Sequence, residues 1–146
     1  MSWEIENITY NQSYSKGIRL ITNFPFDCFF DVFKLHDWHR VIDMAIQEGG
    51  FQLEGVVGII YFKTLDWHDI NIAGIIFPED SVMARFVLES PAIEATMKKV
   101  DFEMMLLEFS KKLLKLHQNN DTLPENWVNT MEDRLKLLED KLQNYA

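Results

Sequence analysis

Gly49-Gly-Phe-Gln-Leu-Glu-Gly-Val-Val-Gly-Ile-Ile-Tyr-Phe62, Ile70-Asn-Ile-Ala-Gly-Ile-Ile-Phe-Pro78 and Val82-Met-Ala-Arg-Phe-Val-Leu88 are the stretches whose reading decides the fold. All three are rich in β-branched and aromatic residues, too short for ordinary helices, and bounded by turn residues. That pattern predicts neighbouring strands of a meander. Val56 to Phe62 is apolar at nearly every position, which predicts a central strand covered on both faces. Gly55 and Gly58 are the places for a bulge or a close backbone approach. The links are Lys63 to Asp69 and Pro78-Glu79-Asp80-Ser81, one at each end of a three-stranded meander.

Working outward, Asp37 to Glu48 predicts a helix. Trp38, Val41, Ile42, Ala45 and Ile46 fall on one stripe, with Asp37 as N-cap and Gly49-Gly50 as the stop. Phe26 to Leu35 carries apolar side chains on both alternating faces, and predicts a buried strand or irregular crossing. Towards the N-terminus, the alternation of Trp3, Ile5 and Ile8 predicts a short edge strand. Asn11 to Gly17 reads as a loop, and Ile18 to Phe24 as a strand stopped by Pro25. Ile93 to Val100 is either a short strand or the lead into the next helix. Asp101 to Asn119 predicts a helix with Phe102, Met105, Leu106, Phe109, Leu113 and Leu116 on its stripe. Thr122-Leu-Pro-Glu125 fits a capping box opening a last helix over 123–145. In that helix Trp127, Met131, Leu135, Leu138, Leu142 and Tyr145 follow at spacings of four, four, three, four and three. This is close to a heptad seam, for packing at home or for a homodimer. The expected architecture is one α+β domain over residues 1–146: an antiparallel β-sheet meander packed against an internal helix and two C-terminal helices.

Charge sets the first limits on function. The 146 residues carry a formal net charge of −9. Residues 1–95 hold 14 acidic and 6 basic side chains, against 9 and 8 in the remainder. Binding nucleic acid or an anionic membrane needs a basic face, so neither is expected, and a basic protein is the natural complement. One cysteine, Cys28, allows no disulfide within the chain, the first residues lack the pattern of a signal peptide, and no apolar run spans a bilayer. The expectation is a cytoplasmic protein.

No catalytic motif emerges. Asp37-Trp38-His39 and Asp66-Trp67-His68 repeat a tripeptide, with His36 and Asp69 adjoining. Nothing places the two copies together, so no metal site is expected. Cys28, among phenylalanines, reads as a structural thiol. Glycine-rich phosphate loops, nucleophile elbows and zinc-helix motifs are absent, so neither a cofactor nor catalysis is expected. What remains is exposure. Trp67 stands between Asp66 and Asp69, and Glu79 with Asp80 occupies the next turn. These five residues are the candidate partner-binding set, an aromatic anchor among carboxylates.

Glu54-Gly55-Val56-Val57-Gly58-Ile59, the Ile70–Phe77 run, and Asp101-Phe102-Glu103 opening a helix that ends Phe109-Ser-Lys-Lys-Leu-Leu-Lys-Leu-His117 carry a resemblance. Over these residues the chain resembles the small acidic immunity proteins that bacteria carry beside polymorphic and contact-dependent-inhibition toxins, many of them nucleases. The resemblance implies tight binding of a cognate toxin domain, with acidic residues standing in for phosphates. Two other readings stand beside it: a homodimeric adaptor assembled through the last helix, and a small-molecule-binding domain walled by Phe26 to Phe33.

Overall fold

The structure, a computed structural model, describes residues 3–8, 16–53 and 55–145. The expected loop from Asn11 lies outside them as far as Ser15, as does Glu54. The fold is α+β, with two antiparallel sheets and five helices among the described residues. β1 (Glu4–Asn7) pairs with β2 (Ile18–Ile21) as a two-stranded ribbon. β3 (Phe51–Leu53), β4 (Val57–Tyr61), β5 (Ser81–Phe86) and β6 (Ile93–Lys98) form the main sheet, in that order. Every neighbour in it is antiparallel.

The meander exists, but its strands differ from those expected. The first run is a hairpin of two strands, turned at Gly55, whose φ of 67° suits a residue without Cβ. Gly55 therefore makes a turn and not a bulge. The second run, Ile70 to Phe77, supplies no strand. The third is β5, and Ile93 to Lys98 resolves into the strand β6. β4 is central, as expected. Val57, Ile59 and Tyr61 face the main core, while Ile60 packs on a smaller cluster on the opposite face.

Phe26 to Leu35 is corrected from strand to helix. α1 (Phe26–Val32) buries Phe26, Phe29 and Phe30, and Phe33 follows just beyond it. Their spacing of three, four and seven is the helical period. The phenyl rings pack edge-on and tilted against one another, Trp38, Phe102 and Phe109. Each such burial contributes roughly 1.5–3 kcal/mol. They fill the core, so they cannot wall a ligand pocket.

α2 (Trp38–Gln47) buries the predicted stripe, with Ile46 half-buried. Asp37 sits at its N-cap without a side-chain cap bond, and the left-handed residue at its end is Glu48 (φ 54°), not Gly49. α4 (Lys99–His117) starts directly from β6, and α5 (Trp127–Gln143) packs on α2 and α4. Thr122 does not open α5. Its N–H donates to Asn120 Oδ1 (3.0 Å) in a side-chain-closed turn, and the helix begins at Trp127.

Candidate functional site

Residues 62–80, the connection from β4 to β5, form the candidate site. The polypeptide leaves Tyr61 through a short 3-10 turn, where Thr64 Oγ1 donates to the Tyr61 carbonyl (2.8 Å). Asp66 then caps α3 (Trp67–Asn71). The Asp69 N–H donates to Asp66 Oδ1 (2.8 Å), and the Asp66 N–H to Asp69 Oδ2 (3.1 Å). This reciprocal box satisfies the orphan donors of a single helical turn. Beyond it the Ile75 N–H reaches back to the Asp69 carbonyl (2.9 Å), with Gly74 at φ 68° making the bend. Ile75 and Phe77 then bury against Met83, Ile60 and Leu65 on the outer face of the sheet. Those anchors fix the connection and leave its other apolar side chains outside. Trp67 is 69% exposed, Ile72 63% and Ile76 78%, with Phe62 and Ile70 also exposed.

All five predicted partner-binding residues lie on this connection. The expectation that the two acidic turns sit at opposite ends of the sheet is corrected. Tyr61 pairs with Val82, so the connection leaves and re-enters the sheet at one end. Asp66 and Asp69 have a structural task as the capping box, but Asp66 is exposed and stays ionised. The Asp69 backbone N–H holds the Asp66 carboxyl below its usual range. Asp80 accepts from Lys98 Nζ (2.8 Å), which likewise holds its pKa down. Glu79 is exposed and has no ion-pair partner among the described residues.

The two Asp-Trp-His copies are unlike. Trp38 is buried and donates Nε1–H to Ser110 Oγ (2.8 Å), whereas Trp67 faces solvent. His39 lines a small hollow with His36 near Pro124, and His68 is an exposed residue of the β4–β5 connection at the rim of a separate cleft. Among the described residues no group of three or more His, Cys, Asp or Glu is placed to hold a metal. Cys28 sits half-buried on α1. Burial, then Asp27 and Asp31, push its thiol pKa up, which disfavours a reactive thiolate.

The heptad-like seam of the last helix packs at home. Trp127, Met131, Leu135 and Leu138 are buried in the chain's own core, with Leu142 partly buried against it. The stripe is not an open surface for a second copy.

Sequence reasoning missed a buried ionic network. Glu103 is 0% exposed. Its Oε2 accepts from Tyr61 OH (2.7 Å) and Lys141 Nζ (2.5 Å), and its Oε1 from Tyr145 OH (2.8 Å). Lys141 also donates to the Ala45 carbonyl (2.9 Å) and meets Glu48 (3.3 Å), which Lys99 reaches from its other side (3.2 Å). The network ties the end of α2, β4, the start of α4 and the end of α5. Burial alone would raise the Glu48 pKa, but Lys99 and Lys141 outweigh it and hold the carboxyl low. Burial and the facing Glu103 carboxylate raise both tyrosines. Glu103 is fully buried and its carboxylate is taken up by three donors from β4 and the end of α5, so the arrangement is a clamp between elements.

A cleft of about 400 Å³ lies between the connection and the sheet, lined by Gly50, Gly58, Thr64, His68, Asp69 and Arg85. Its polar side chains are mostly engaged. Arg85 Nε donates to Glu94 (2.9 Å), Asp69 caps α3, and Thr64 bonds the Tyr61 carbonyl. Little is left to orient a small molecule, so the exposed crest above the cleft is the stronger site. No protein-family model, curated protein or solved structure matches this chain.

Proposed function

We propose that this chain is a non-catalytic, cytoplasmic binding protein whose β4–β5 connection docks on a basic protein. In its specific form this is an immunity protein that neutralises a cognate toxin domain by direct contact. One observation carries the reading: Trp67, 69% exposed, stands on a capped helical turn beside ionised Asp66, in a connection that also presents Ile72, Ile76 and the exposed Glu79. An exposed apolar patch with ionised carboxylates at its rim marks a surface for a complementary partner. Tryptophan suits its centre, because it buries a large area at small entropic cost.

Affinity capture of a basic partner from the native cytosol, run in parallel with wild type and Trp67→Ala, tests the reading. Support is a single basic protein held at low salt, weakened at high salt and lost with Trp67→Ala. A partner held equally by both forms, or no partner captured from the native cytosol, would count against it.

A further inference from the structure

The main sheet ends in two unlike edges. β3 has three residues, whereas β6 has six. The backbone register shows which groups of β6 face outward. The Lys99 N–H donates to the Asp80 carbonyl, and the Val87 N–H to the Val56 carbonyl. With the pairings Val82↔Met97 and Val57↔Phe86, these bonds fix the alternation. Ile93, Ala95 and Met97 turn their backbone groups to β5. Glu94, Thr96 and Lys98 turn theirs away from β5. The Lys98 carbonyl, at the N-cap of α4, takes that helix's first bond, while the Lys98 N–H and the backbone groups of Glu94 and Thr96 have no backbone partner among the described residues. Such an edge is a template for another strand.

The side chains over that edge are self-complementary. Glu94, Thr96 and Lys98 share the outer face with Arg85, since Arg85 bonds Glu94 across the strands (2.9 Å). Edges are commonly blunted by like charges that repel a second copy. Here the charges have opposite sign and sit symmetrically about Thr96.

We infer that β6 is the self-association edge, pairing antiparallel with β6 of a second copy about a two-fold axis at Thr96. In that register Thr96 faces Thr96, and Glu94 of each copy faces Lys98 of the other. The Thr96 N–H donates to the opposite Thr96 carbonyl and the Lys98 N–H to the opposite Glu94 carbonyl, each bond occurring twice by symmetry. The charges form an alternating row: Arg85, Glu94, then Lys98 and Asp80 of the second copy, extending the Lys98–Asp80 pair (2.8 Å) already present. Cross-strand pairs of this kind, Thr with Thr and opposite charges, favour pairing. Registers that set Glu94 on Glu94 or Lys98 on Lys98 are repelled. The result is a continuous eight-stranded sheet made from two four-stranded ones. A single strand pair buries little area, so the dimer is weak and concentration-dependent.

The test is sedimentation velocity of the full chain from micromolar to millimolar protein. Wild type should shift from monomer to dimer with concentration. Glu94→Lys alone and Lys98→Glu alone should each stay monomeric, because each sets like charges across the axis. Their equimolar mixture should dimerise, since the lysine introduced by the first substitution then faces the glutamate introduced by the second. Thr96→Pro removes an N–H that points away from β5, so it should abolish the dimer with unchanged circular dichroism. A wild type monomeric throughout, single-charge variants that associate as wild type does, or a mixture no more associated than its parts would overturn the inference.

Discussion

Replacing Glu103 by glutamine tests the buried clamp most sharply. The substitution keeps the size of the side chain and removes the charge from a site with 0% exposure. The carboxylate accepts from Tyr61 OH, Tyr145 OH and Lys141 Nζ, and all three approach as donors. An amide has one acceptor oxygen and sets an NH2 group against at least one of them. Leaving one buried donor unpaired costs about 1–3 kcal/mol. Breaking a buried ion pair by removing one partner costs about 3–5 kcal/mol. Lys141 retains Glu48 and the Ala45 carbonyl, which places the sum at the low end, about 3 kcal/mol. For a chain of this length that lowers Tm by about 6–12 °C. Urea denaturation followed by far-ultraviolet circular dichroism reads the loss directly. Tyr61→Phe, which leaves the ion pair intact, should cost about 1 kcal/mol. A loss below about 1 kcal/mol for Glu103→Gln would show that water or another acceptor serves these donors, and the clamp would not hold.

Trp67→Ala should leave stability within about 0.5 kcal/mol of wild type, because the ring is solvent-facing, and a larger loss in urea melts would make Trp67 a packing residue. Burial of the Lys16 ammonium, partly offset by Asp31, holds its pKa down to about 8 from 10.5. The unfolded chain therefore binds more protons between those values, and stability should climb as pH rises from about 8 towards 10. Lys16→Met should flatten that slope in urea melts across the interval, and an unchanged slope would assign it to other groups. Cys28 should react with a thiol-selective disulfide reagent more slowly than free cysteine at neutral pH, since its raised pKa leaves little thiolate; equal rates would contradict its half-buried setting.

How much was legible in the sequence follows from the range of the interactions. The α2 stripe from Trp38 to Ala45 and the α4 stripe from Phe102 to Leu113 bury as predicted, because local periodicity and burial agree there, whereas Leu116, expected on the same α4 stripe, is exposed at the helix's last turn, where little packs over it. Phe26 to Phe33 misled because aromatic richness suggested strand, while the spacing of the four rings already carried the helical period. Ile70 to Phe77 misled in another way. Its β-branched run argued for a strand, but the Asp66–Asp69 box starts a helix three residues before Ile70, and Gly74 bends the chain. The capping box was readable from Asp-x-x-Asp. That Ile72 and Ile76 would stay outside was not, because burial of an apolar side chain depends on what the rest of the chain brings to it. Trp67 was legible as an exposed residue in an acidic turn. The clamp at Glu103 was not. Its partners Tyr61, Lys141 and Tyr145 come from β4 and the end of α5, Glu48 joins only through Lys141, and no local pattern in α4 distinguishes Glu103 from the exposed Glu108.

The central claim is that the β4–β5 connection binds a basic partner through Trp67. Isothermal titration of the captured partner's purified domain into wild type and into Trp67→Ala, each at low and high salt, measures it most directly. The account predicts a loss of at least tenfold in affinity for Trp67→Ala, about 1.4 kcal/mol or more, and a further weakening of wild-type binding by salt. Equal affinities for the two proteins, or binding indifferent to salt, would contradict it.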